Sequence, residues 1–166
     1  LSDLKRLMLR SPRLTLAVAE SLTCGRLQAR IGAISGASEF FLGGVTAYSL
    51  DVKVRQLGID RAEAAAVNGV SGRIAERMAR GACVLFGADL GVATTGYAEP
   101  SDQWQVAEPF GWWGLARLLP GGDYAVASGR VDCPGLARVD VQERVAGAAL
   151  DALLGWIRGP AAERTT

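Results

Sequence analysis

The chain contains no histidine. That removes a Ser-His-Asp triad, a Cys-His pair and every His-containing metal site from consideration. Lysine is scarce: Lys5 and Lys53 stand alone, and every other cation is arginine. Cys24, Cys83 and Cys133 are odd in number and widely spaced, which suits reduced thiols in a cytoplasmic protein better than a disulfide framework. Neither sign of charge is in excess, with 18 Lys and Arg against 17 Asp and Glu in 166 residues. The broad cationic face of a nucleic-acid binder is therefore missing, and nucleic acid is not an expected partner. Long hydrophobic runs are missing as well. Segments such as Leu14–Ala19 are too short to cross a bilayer, and Leu1–Arg10 lacks the charged-then-apolar order of a signal peptide. The expectation is a cytoplasmic protein without a membrane partner.

What is present is an alternation of helical and strand-like segments. Leu4, Leu7 and Met8 recur at helical spacing, Ser11-Pro12 ends that helix, and Leu14–Ala19 reads as a buried strand. Ser21 or Thr23 is a candidate cap for a helix carrying Leu27, Ile31 and Ile34. Gly43-Gly44 precedes a short strand, Val45–Tyr48, and Asp51 opens a helix closed by Gly58. From Ser71 an amphipathic helix turns Ile74, Ala75, Met78, Ala79, Ala82, Leu85 and Phe86 inward. Asp89–Ala93 reads as a strand ending at Thr94-Thr95-Gly96. Phe110–Leu118 and Tyr124–Val131, separated by Pro120-Gly121-Gly122, predict an antiparallel pair. A last helix, about Val141 to Ile157, ends at Gly159-Pro160. The pattern predicts an α/β fold: a mostly parallel sheet sandwiched by helices, with one antiparallel strand pair. Residues 1–166 read as one domain, with 159–166 as a flexible tail.

In open α/β sheets ligands bind beyond the carboxyl ends of strands, where turns lead into helices. Three segments qualify: Glu20–Gly25, Tyr48–Lys53 and Thr94-Thr95-Gly96. In order along the chain, Glu20-Ser21-x-Thr23-x-Gly25, Gly36-Ala37-Ser38, Gly43-Gly44-Val45, Tyr48 with Lys53, Val70-Ser71 and Thr95-Gly96-x-Ala98-x-Pro100 resemble the CinA C-terminal domain family. The resemblance runs from about Leu4 to Leu154. It implies an amidase that removes ammonia from the carboxamide of nicotinamide mononucleotide or a related small molecule. Carried onto this chain, Ser21 would be the nucleophile and Lys53 its general base, with Tyr48 and Thr95 orienting or stabilising. Thr23, Gly25, Gly96 and Arg138 would contact substrate, Arg144 being the alternative to Arg138. No metal or cofactor is implied. The expected partner is a small-molecule carboxamide such as a nicotinamide nucleotide, and assembly into a homo-oligomer stays open.

The chemistry is coherent without the resemblance. A serine hydroxyl needs a neighbour to take its proton, and a desolvated lysine can do so where no histidine exists. Arginine cannot, because guanidinium does not deprotonate. With Ser21 at a helix start, the following N–H groups would hold the oxyanion. Taken singly, the residues leave other readings open. Ser21 reads equally as an N-cap, Lys53 as a solvated lysine, Tyr48 as a strand residue, and Glu20 as an acceptor for helix-start N–H groups. Cys24 and Glu99 stand where the family carries glycine. These departures support an alternative, a catalytically degenerate relative that binds a nucleotide-like ligand or a protein partner. They also predict that Glu99 disfavours a phosphorylated substrate by charge repulsion.

Overall fold

Along the first strand, β1 (Leu16–Glu20), every residue is buried, and the side chains sort by size between two faces. Leu16 and Val18 enter one core, while Ala17 and Ala19 enter the other, as the two-residue period of a strand requires. A strand covered on both sides needs helices on both sides. The computed structural model describes residues 2–159; the expected tail from Pro160 onward lies outside the described residues.

Five strands form one sheet in the order β2-β1-β3-β4-β5. They are β1, β2 (Phe41–Thr46), β3 (Leu90–Tyr97), β4 (Phe110–Leu118) and β5 (Tyr124–Asp132). β1 pairs in parallel with β2 and β3, whereas β4 pairs antiparallel with β3 and with β5. Four of the five strands consequently run the same way, and the β4–β5 pair is the expected hairpin at the expected turn. On the large-residue face lie α1 (Ser2–Met8), α2 (Arg26–Gly32) and α6 (Arg138–Arg158). Their Leu4, Met8, Leu27, Ala149 and Leu153 pack against Leu16, Val18, Val92 and Leu115. On the small-residue face lie α3 (Leu50–Leu57), α4 (Arg61–Ala66) and α5 (Gly72–Phe86), which supply Leu57, Ala64, Ile74, Met78 and Ala79 to the second core.

The small residues of that face let α5 approach the sheet closely. A Cβ at Gly114 would overlap the backbone carbonyl of Ala75, and one at Gly91 would overlap that of Ala79. Alanine is already too large there.

Several boundaries differ from expectation for identifiable reasons. β1 begins at Leu16, two residues late, and β2 runs from Phe41 to Thr46, so Gly43 and Gly44 lie within it and Tyr48 beyond it. The space above those glycines is filled by Phe86 and Gln28 side chains. β3 continues through Thr94, Thr95 and Gly96 to Tyr97, because β4 pairs with it over that length. α6 begins at Arg138, ahead of the apolar stripe that marked its start. In α5, Cys83 takes the buried place and Leu85 is 43% exposed. Trp112 and Trp113 are half-buried, whereas Trp104 lies out in the loop after β3.

Candidate functional site

With β2 on one side of β1 and β3 on the other, the chain leaves β1 at the reversal point of the strand order. The crevice beyond the carboxyl ends of β1 and β3 is where such sheets bind ligands. A cavity of about 370 Å³ opens there, with Ser21, Lys53, Tyr48, Gly96, Glu99 and Arg138 in its wall. That volume suits a small organic molecule.

The turn after β1 is organised by Glu20, which is fully buried. One carboxylate oxygen accepts from Thr23 Oγ1 at 2.5 Å, from the Gly25 N–H at 3.0 Å and from the Leu27 N–H at 3.1 Å. The other accepts from the Gln28 N–H at 2.8 Å. A buried carboxylate persists because its lone pairs meet these donors and the positive end of α2. This overturns the capping expectation: Gly25, with φ 96°, is the N-cap of α2 and no side chain at that position caps it. Ser21 lies four residues upstream, so the N–H groups that start α2 serve Glu20 and cannot serve an oxyanion at Ser21. Thr23 is fully buried, with its hydroxyl between Glu20 and Thr94 Oγ1 at 2.6 Å. Neither Thr23 nor Gly25 is in the cavity wall, in contrast to the contacts expected of them. Cys24 is exposed with φ 48°.

Ser49 caps α3 by accepting from the Val52 N–H, and the first turn of that helix then carries Lys53 inward, where 3% of the residue is exposed. Its Nζ donates to Thr95 Oγ1 at 3.1 Å and to the Gly69 carbonyl at 3.2 Å. The Thr95 hydroxyl gives its single proton to the same carbonyl at 2.6 Å, which leaves the Thr95 oxygen free to accept from lysine. Two positions on the lysine nitrogen are thereby fixed. The third holds a proton in the ammonium form and a lone pair in the amine form. Burial lowers the Lys53 pKa to about 8, so both forms are populated near neutrality. Gly69, at φ 67°, lets its carbonyl come this close, since a Cβ there would meet Lys53 Nζ at 3.0 Å.

Thr95 is fully buried behind Lys53, while Gly96 reaches the cavity. Of the two candidate arginines, Arg138 lines the cavity and Arg144 is exposed elsewhere on α6. Arg138 donates to Glu99 Oε2 at 2.8 Å and to the Tyr48 hydroxyl at 3.1 Å. Asn68 and Tyr97 also line the cavity, joined by an Asn68 Nδ2 to Tyr97 hydroxyl bond of 3.1 Å. Neither was expected. The available signal was the Asn68-Gly69 pair, a turn dipeptide suited to left-handed backbone; Asn68 has φ 50°.

The sequence pattern of the CinA C-terminal domain matches residues 2–157. A CinA-like protein of Mycolicibacterium gilvum is 42% identical over 130 residues, covering 78% of this chain and 30% of that protein. A CinA-like protein of a Picosynechococcus strain is 43% identical over 104 residues, covering 63% of this chain and 25% of the relative. The chain thus spans about a quarter of the length of such relatives. Among solved structures, the competence damage-inducible protein A of Klebsiella pneumoniae superposes with a TM-score of 0.82 at 26% identity. That match covers 95% of this chain and 94% of the other. A CinA superfamily protein of Escherichia coli gives 0.77 at 26% identity, over 92% of this chain and 86% of the other.

Proposed function

Because the chain belongs to the CinA C-terminal domain family, we propose that it is a cytoplasmic amidohydrolase that releases ammonia from the carboxamide of a nicotinamide nucleotide or a related small molecule. The observation that carries this reading is Lys53. It is a lysine with 3% of its surface exposed and, among the described residues, no carboxylate hydrogen-bonded to it. Its pKa is lowered to about 8, and it shares a cavity wall with a serine. A structural lysine at that depth would be expected to meet an anion. A general base needs this environment instead.

In the reaction, the neutral amine of Lys53 takes the Ser21 hydroxyl proton as the serine oxygen attacks the carboxamide carbon. Electrons move onto the carbonyl oxygen, for which we assign the Leu22 N–H as donor, since the α2 donors are taken. The tetrahedral species collapses with loss of the amide nitrogen, which leaves as ammonia on receiving the Lys53 proton. Water, deprotonated in turn by Lys53, attacks the acyl-serine; the carbon–Ser21 oxygen bond breaks, the serine oxygen takes the proton back from Lys53, and the carboxylic acid product leaves and ionises. Thr95 and the Gly69 carbonyl hold the lysine nitrogen in place throughout.

One observation favours the non-catalytic alternative: the hydrogen bonds of Lys53 Nζ run to Thr95 and Gly69, and none runs to Ser21. The deciding experiment measures ammonia released from nicotinamide mononucleotide, nicotinamide riboside and nicotinamide. Turnover of any of them that Ser21→Ala abolishes supports the hydrolase. Binding without turnover supports the alternative.

A further inference from the structure

Arg138 is the first residue of α6, a helix of 21 residues whose N-cap, Ala137, makes no side-chain cap bond. A cation in that position opposes the helix macrodipole, so helix stability does not account for it. What surrounds it does. The guanidinium donates to Glu99 through one nitrogen and to the Tyr48 hydroxyl through another, and all three side chains line the cavity that holds Ser21 and Lys53. Ser21 and Lys53 are 6% and 3% exposed and form the cavity floor. Tyr48 is 53% exposed, and the Arg138 and Glu99 side chains are 44% and 62% exposed, so these three form its mouth.

A guanidinium fork beside a phenolic hydroxyl is a receptor for an oxyanion. One of its nitrogens already holds the chain's own carboxylate, Glu99, while the other is engaged by the Tyr48 hydroxyl. We propose that Glu99 is an internal occupant of an anion subsite made by Arg138 and Tyr48, and that the site therefore takes a carboxamide whose remote end is uncharged. An incoming phosphate must displace Glu99 from Arg138 and then remain beside it. Pro100 restricts the Glu99 backbone to extended conformations and Ala98 before it is buried, so the residue stays at the mouth even when its exposed side chain turns aside.

The substrate class rests on the hydrolase reading, so the test separates the two. Binding of nicotinamide riboside and nicotinamide mononucleotide is measured by calorimetry on Ser21→Ala protein, where turnover plays no part. The expected result is tighter binding of the riboside. Adding Glu99→Gln should improve mononucleotide affinity relative to riboside by roughly three- to tenfold, the range set by an exposed ion pair plus one like-charge contact. Arg138→Ala on top of Glu99→Gln should remove that gain. A mononucleotide-to-riboside ratio unmoved by Glu99→Gln, a preference for the mononucleotide before the change, or binding of neither ligand overturns the proposal. Failure of the hydrolase reading would show instead as no ammonia from the Ser21 protein, whatever the binding ratio.

Discussion

Lys53 holds an ionisable amine where 3% of the residue is exposed, and burial takes its pKa from 10.5 to about 8. At neutral pH the folded protein therefore keeps an ammonium in a place that favours the amine. At about 1.4 kcal/mol per tenfold change in proton affinity, the gap between 10.5 and about 8 corresponds to a destabilisation of roughly 3 kcal/mol. Lys53→Met removes this cost while keeping an apolar chain of similar length. It also withdraws a donor from Thr95 Oγ1 and the Gly69 carbonyl, worth about 1 kcal/mol or somewhat more. Thr95 still donates to that carbonyl. The variant should accordingly be about 1–2 kcal/mol more stable than the parent at pH 7, and inactive. Between pH 8 and 10.5 the unfolded chain binds more protons at this site than the folded one, so the lysine protein gains stability as pH rises. The advantage of Lys53→Met should then shrink and vanish near pH 10. Cys83, pushed up to about 12 by burial, lowers stability with rising pH in the same range. It does so in both proteins and cancels in their difference. Urea denaturation at about pH 7, 8.5 and 10, with equal slopes required of both proteins, reads the difference directly. A Lys53→Met protein less stable than the parent at pH 7, or a gap independent of pH, would refute the argument.

Ser21→Ala should reduce ammonia release by about 10³-fold or more. Its melting temperature should stay within about 2 °C of the parent, because the Ser21 side chain does not cap α2. Lys53→Arg should be as inactive as Lys53→Ala, and the parent kcat/KM should rise with pH to a plateau above about 8, where the amine form dominates. Activity in Lys53→Arg, or a profile falling over that range, would remove the general-base role. Glu20→Ala should cost about 2–4 kcal/mol by orphaning the donors gathered from Thr23, Gly25, Leu27 and Gln28, with Glu20→Gln intermediate; thermal unfolding checks the order.

Features specified by neighbours in the chain were readable from the chain. The β4–β5 hairpin follows from Pro120-Gly121-Gly122 between two apolar runs, and α5 from the Ser71 cap and its stripe of small and large apolar residues. Features specified from a distance were not. β3 reaches Tyr97 because Phe110–Trp113 of another strand pairs with Thr94–Tyr97. The first three residues of α6, Arg138 to Asp140, are exposed, so the inward apolar stripe starts only at Val141. Ser21 resembled a cap because serine often is one, yet the acceptor for α2 comes from Glu20, on the strand before it. Within the site, Ser21, Tyr48, Lys53, Gly96 and Arg138 were all marked in the sequence and line one cavity. Asn68 and the Gly69 carbonyl were not marked, and Tyr97 stood out only as part of the loop that departs from the family pattern, with no site role assigned to it. A backbone acceptor has no letter of its own, and a polar residue in a loop has no periodicity to single it out.

The hairpin between β4 and β5 offers a practical opening. β4 runs antiparallel to β3, with Leu118 bonded to Asp89 at the start of β3 and Phe110 beside Tyr97 at its end. The Pro120–Asp123 turn is therefore at the opposite end of the sheet from the cavity, and Pro120 to Asp123 are exposed. Exposed turns of this kind accept inserted sequence. A fluorescent reporter or an immobilisation tag spliced there would leave the mouth of the cavity unobstructed, giving a sensor scaffold in which ligand entry and attachment are handled at opposite poles of the same sheet.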